Sequence, residues 1–407
     1  MLRTIVDGEC RWFDPFSVTV GSMMNRAWAN LIVVCVPWLF GAELNSAENT
    51  QRGEATAVYA DAAALVRQLG DERFATRESA TARLIQLGRS AKQALEEGRT
   101  NADREIRGRC ERILSIVEKL DFQRRLAAFA AGRTDRESDL PGWKRYRSAY
   151  GDDAEARALF VEMQKSEPEL MRAVEEGAHA VTKTVDFRCL QLQQSQRSGG
   201  QAMNLGSIAA LLFAMDDEQV TLNFQSVAAL CSFCYQPTLA NAIEDAGKRR
   251  MLRKMLGAWI KRGDGWTGYL SLAMRYDLKE GLAPAVKVLQ NAGDEAYIRQ
   301  NAILAVAKLG DESHLPSIEA LLEDKSKCAT QRMHNVTFET QLRDVALAAM
   351  LVMKKLDPKE FGFDRLQLNA TSVFVTSTVG FENEEKRHLA FAKWNKFRGG
   401  EKKSIAK

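Results

Sequence analysis

The chain has 407 residues, 45% of them hydrophobic, enough for two or three ordinary domains or one elongated array. Eight prolines and 27 glycines argue against a low-complexity chain, and the abundance of Ala, Leu, Arg, Glu, Lys and Gln favours helix. A net charge of +4, with acidic and basic residues interspersed, makes no strong case for a nucleic-acid binder, which concentrates its cations on one face.

The N-terminal region points to export. Leu31 to Phe40 is an uninterrupted apolar run, preceded by Arg26 and followed by Gly41-Ala42 and Ser46-Ala47. A basic start, an apolar middle and small residues at the cut make a secretory signal, and the run is short for a membrane span of ~20 residues. Met23 and Met24 stand where such a signal would begin. Residues 1–22 are therefore expected to be an over-extended start and 23–47 a signal peptide, with an uncleaved anchor as the alternative because Phe40 is bulky for its place near the cut. Either places the bulk of the chain outside the cytoplasm, periplasmic or extracellular. Five of the seven cysteines follow this region, at Cys110, Cys189, Cys231, Cys234 and Cys328. Their odd number and irregular spacing give no disulfide framework and suit buried thiols.

After a polar lead-in to about Ala57, helical periodicity begins near Val58. Asp61–Leu69 is expected to form a helix ended by Gly70. The next is expected to be capped by Thr76 and to run to Leu87, where Gly88 supplies a left-handed stop. Ser90–Glu97 and Asp103–Leu120 continue the pattern, so 58–132 reads as a first block. A charged connector follows at 134–142. The middle segment, 143–260, reads as less regular: helices at Ala154–Lys165 and Pro168–Glu176, a loop from Ser195 to Gly200, and helices at Ile208–Met215 and Val220–Cys234. Residues 262–268, Arg-Gly-Asp-Gly-Trp-Thr-Gly, break the helices. Regular repeats resume at Tyr269 and fill 269–360, with a polar insertion, Asp324–Gln341, expected as a surface loop. A C-terminal extension, 361–398, holds one short strand over Ser372–Val379 and a helix over Glu384–Phe397, and 399–407 is expected to be a disordered tail.

One signature recurs through these helices. It reads Arg77, Ala80, Leu84, Leu87, and returns as Arg107, Cys110, Leu114, Val117; as Arg299, Ala302, Val306, Leu309; and as Arg343, Ala346, Met350, Met353. Asn223, Ser226, Leu230 and Phe233 keep the spacing with Asn for Arg. At ~100° per residue the four positions of a copy span an arc of roughly 80°. The small residue admits a neighbouring helix and the larger ones fill the space between, as in stacked helix pairs. The arginines are expected to bond carboxylates or carbonyls of adjacent turns.

The signature and its spacing resemble HEAT-type repeats, including the bilin-lyase-like subgroup, best over 61–120 and 280–356. The chain also resembles exported bacterial HEAT-containing proteins without assigned chemistry. The resemblance implies an all-α fold, an α-α superhelix or HEAT-like solenoid, in two blocks if the irregular middle interrupts it. It also implies a concave face that binds another macromolecule, and no functional residues carry over.

Candidate chemical sites are few. Cys231-Ser-Phe-Cys234 lies late in an apolar helical run, without the preceding strand of a redox motif or a second pair at zinc spacing, and reads as packing. No two of His179, His314, His334 and His388 stand four apart; His314 follows Asp311-Glu312 and can meet a carboxylate. Asp152-Asp153 and Asp216-Asp217 are read as helix starts. Arg262-Gly263-Asp264 reads as a turn, and Asn335 and Asn369 begin glycosylation-type triplets. Arg99, Arg104, Arg109 and Arg112 belong to a basic stripe over 99–125 that alternates with carboxylates, a solvated face or an anionic-polymer site. No cofactor, metal or catalytic motif is present. The sequence thus favours a non-enzymatic scaffold for a protein partner, with an anionic-polymer binder and a helical lyase-like enzyme as alternatives. Nucleic acid is not the expected partner, and membrane contact is expected only through an uncleaved anchor.

Overall fold

The computed structural model describes residues 56–133, 140–200, 203–263, 268–291 and 293–405. The expected start, signal and most of the lead-in lie outside these residues, as do 134–139 of the connector. The chain is mostly helical and divides into two compact units, residues 1–117 and 118–407. Among the described residues no helix is long and apolar enough to cross a membrane.

The first unit holds α1 (residues 56–68), α2 (Phe74–Leu87), α3 (Lys92–Gly98) and the first half of α4 (Arg104–Ala130). Residues 56 and 57 are thus already helical. Leu65, Leu69, Ala80, Leu84, Leu95, Cys110 and Ile113 form its core, each at most 2% exposed. Helix α2 starts two residues before the expected cap, so Thr76 lies inside it. The chain turns instead on Asp71, whose carboxylate accepts the Arg73 N–H at 2.9 Å. Gly88 ends the helix with a φ of 58°, as expected of a residue without Cβ. Gly98 is fixed by crowding: a Cβ there would lie 2.5 Å from Cys110 Sγ and 2.9 Å from Val66 Cγ1. It lets α3 approach α1 and α4.

The second unit contains α5 (Trp143–Tyr150), α6 (Ala154–Ser166), α7 (Pro168–Glu176), α8 (Ala178–Arg197), α9 (Leu205–Ala214), α10 (Phe224–Cys234), α11 (Pro237–Glu244), α12 (Ala246–Arg262), α13 (Gly268–Arg275), α14 (Leu282–Gln290), α15 (Ala296–Leu309) and α16 (Leu315–Glu319). Every residue of α9 from Gly206 to Ala214 is buried, which explains its continuous apolar sequence. Tyr146, Tyr150, Phe160 and Phe213 form an aromatic cluster with centroid separations of 4.9–6.1 Å.

Several expectations need correction here. Helix α8 continues through Ser195–Arg197, so only Ser198–Gly200 leave it. Helix α10 starts at Phe224 rather than Val220. Asn223 is its cap, accepting the Ser226 N–H at 2.9 Å, and does not stand in for an arginine. Asp216 and Asp217 follow the end of α9 instead of starting a helix; only Asp153 caps one, accepting the Ala156 N–H at 2.8 Å.

The insertion at 324–341 is a β-hairpin, not a loop. Strands β1 (Lys327–Met333) and β2 (Val336–Gln341) pair antiparallel, with Met333 opposite Val336. His334 and Asn335, with φ of 45° and 64°, make the two-residue turn whose twist matches paired strands. Helix α17 (Leu342–Met353) follows directly and is buried along most of its length. The single strand expected over Ser372–Val379 is a two-residue pair, β3 (Leu368–Asn369) and β4 (Val373–Phe374), then a 3-10 turn at Thr376–Thr378. The last helix, α18 (Glu384–Ile405), runs through most of the expected disordered tail, where Glu and Lys favour helix and no proline intervenes.

Candidate functional site: arginine clasps and a cleft beside Lys261

The signature positions are core positions. Ala80, Leu84, Cys110, Ala302, Val306, Leu309 and Ala346 are all at most 1% exposed, and Leu87 packs against the first core. The arginines close the turn that precedes their own helix. Arg77 Nη1 donates to the carbonyls of Asp71 and Glu72 at 2.8 and 3.0 Å. Arg107 Nη1 repeats this on Asn101 and Ala102, both at 2.7 Å. Arg299 Nε reaches Asp294 O at 3.1 Å, and its Nη1 pairs with the Asp324 carboxylate. Arg343 departs, donating to Gln341 Oε1 at 2.7 Å and Glu384 Oε2 at 2.8 Å.

A further copy escaped the sequence reading. Arg249 donates to Ile243 O at 2.9 Å and Glu244 O at 2.8 Å, six and five residues back as at Arg77 and Arg107. Leu252, Leu256 and Trp259 complete the spacing and are buried. The signal was present in the sequence, but a leucine occupies the place held elsewhere by a small residue.

In the first unit the basic stripe is largely committed to internal partners. Arg109 pairs with Glu105 at 2.6 Å and Glu78 at 2.8 Å; these bonds raise its pKa, and the Arg109 bond holds Glu105 below the usual carboxylate range. Arg112 donates to Gly108 O at 3.3 Å and Arg99 lies 3.9 Å from Glu111. Arg104 stays exposed.

Helix α12 uses its cations in the same manner on a larger scale. Arg250 reaches Tyr150 O at 3.0 Å and Lys254 reaches Ala149 O at 2.7 Å, closing the end of α5. Arg253 holds the carbonyls of Tyr276 and Asp277 after α13. Arg262 holds those of Met215, Asp217 and Val220 after α9. Each cation sits where unpaired carbonyls and the helix dipole concentrate negative charge. The Arg262-Gly263 pair is thus the end of a helix, with Gly263 left-handed at φ 63°; Asp264 lies outside the described residues.

Beside this helix end lies a cleft of about 420 Å³. Tyr269 and Pro284, both buried, line it with the half-buried Val288 and Ile298. Lys261, Lys287, Asn291 and Asp294 stand at its polar margin. A second cavity of about 510 Å³ shares Lys261 and Arg262 and adds Asp216, Glu218 and Ala258. No family model matches the chain, and no curated protein matches it.

Other candidates resolve into structural roles. Cys231 and Cys234 are fully buried in α10 and free, and burial pushes both thiols up. His314 Nδ1 meets Asp311 Oδ1 at 2.9 Å in a capping turn. Among the described residues no three His, Cys, Asp or Glu side chains are grouped to hold a metal.

The most buried ionic group was not foreseen. Asp344 and Arg387 are 0% and 3% exposed, with Arg387 Nε 2.9 Å from Asp344 Oδ1. Arg387 also donates to Glu339 O at 2.9 Å, joining α18 to β2 and α17. Burial pushes the Asp344 carboxyl up to about 6, against the opposing Gln341 N–H and Arg387 charge.

Proposed function

We propose that this chain is a non-enzymatic, exported helical-repeat scaffold that binds a protein partner. The observation that carries the reading is the clasp at Arg77, Arg107 and Arg249, one solution repeated with the same six- and five-residue reach. Helix pairs sharing such a local unit stack as HEAT-like hairpins, and stacks of this kind assemble extended binding surfaces. Phe187 and Leu190, one turn apart on α8 and 62% and 50% exposed, supply an apolar surface for such contact. The basic, apolar and small residues of 26–47 support export.

The test is affinity capture on the mature chain at low and high salt, repeated with Phe187→Ser/Leu190→Ser. A protein retained at high salt and released by the double variant supports the reading. Retention of polyanions alone, falling steeply with salt, overturns it. N-terminal sequencing checks export: a start just after Ala42 or Ala47 is expected, and an intact chain confined to the cytoplasm overturns that part.

A further inference from the structure

We propose that the cleft between the end of α12 and helices α13, α14 and α15 binds a small amphipathic anion, an apolar body carrying one carboxylate or sulfonate. The cavity of about 420 Å³ is of small-molecule size, and Tyr269, Pro284, Val288 and Ile298 give it an apolar wall.

Charge then selects the ligand. Lys261 and Lys287 are both exposed at the margin and make no ion pair among the described residues. Arg262 also lies on the lining, but its guanidinium is committed to the carbonyls after α9, so the two lysines carry the charge. Asp294 is the one carboxylate among the described residues of the lining. Ile298 lies in the first turn of α15, which places the start of that helix, its positive end, beside the cleft. The negative end of α12 opposes it but is offset by Lys261 and Arg262 in its own last turn. A neutral apolar ligand would leave the two lysines unanswered, and a polyanion would strand charge against the apolar wall. An apolar body with a single anionic group meets both demands.

The probe is 8-anilinonaphthalene-1-sulfonate, titrated into the full chain and followed by fluorescence, with the uncharged N-phenylnaphthylamine beside it. Lys261→Glu/Lys287→Glu should weaken the sulfonate about tenfold and the neutral analogue far less, since one charge-assisted contact corresponds to a factor of about ten. Both positions are exposed, so the fold is kept, and an unchanged melting temperature verifies it. Val288→Trp, which fills the cleft, should abolish binding of both probes. Displacement by decanoate or by a peptide with a free C-terminal Phe then separates a fatty-acid from a peptide-terminus ligand. The proposal is overturned if the sulfonate binds both variants as it binds the parent, or if the charge reversal weakens both probes equally.

Discussion

Replacing Arg387 by Gln should be the most damaging single change in the second unit. The guanidinium is 3% exposed and faces a carboxylate that is fully buried. Removing one partner of such a pair strands the other, which typically costs about 3–5 kcal/mol. The cost should depend on pH, and its direction follows from the raised Asp344 pKa. The folded carboxyl keeps its proton up to about pH 6, whereas its ordinary value is 3.8. Its contribution to stability is therefore complete below the ordinary value and is lost as pH rises through about 6, a change on the order of 3 kcal/mol. Without Arg387 the carboxyl titrates higher still. At pH 5 Asp344 is then protonated, and the variant's deficit shrinks to about 1–2 kcal/mol for the lost bond to Glu339 O. Urea unfolding at pH 5 and 7.5 measures this, with the fluorescence of Trp394, buried on α18 against Phe361 and Phe397, as local reporter. Asp344→Leu/Arg387→Met should recover most of the loss, because paired apolar groups carry no desolvation cost. A deficit below about 1 kcal/mol at pH 7.5, or one equal at both pH values, would refute the reasoning.

Three further outcomes are expected. Gly98→Ala places a methyl 2.5 Å from Cys110 Sγ, and overpacking of this kind should lower stability by about 1–3 kcal/mol, read from a melting curve. Arg249→Gln removes two carbonyl bonds from a half-exposed clasp, and solvent screening limits its effect to about 1 kcal/mol by urea unfolding. Cys231 and Cys234, buried with raised pKa values, should react with a thiol reagent only as fast as the second unit opens, and rapidly in urea; prompt reaction of the native protein would contradict their burial.

The helices were legible because Ala, Leu and Arg at a period near 3.6 announce both the element and its buried side. The residues after Arg77 and Arg299 are helical, and Ala80 and Ala302 are fully buried. Termini were less legible. The cap expected at Thr76 gave way to a turn on Asp71, three residues before the helix begins. The hairpin at 327–341 hid behind its polarity. Its Val-Thr-Phe-Glu-Thr alternation and its His-Asn turn were in the sequence, but most of its side chains face solvent and bear no apolar stripe. The cleft left no trace in sequence, because its lining comes from separate segments, with Tyr269 alone from α13. The Asp344–Arg387 pair joins residues 43 apart and has no local signature.

Helix α12 alters how the second unit should come apart. An array in which each repeat touches only its neighbours can peel from either end. Here Arg250 ties residue 250 to 150, Arg262 ties 262 to 215 and Arg253 ties 253 to 276. Fraying at one end therefore meets a knot in the middle before it gains ground. Under force or heat, this unit should give way in a single step, like a lashed bundle whose cord must be cut before any stick falls free.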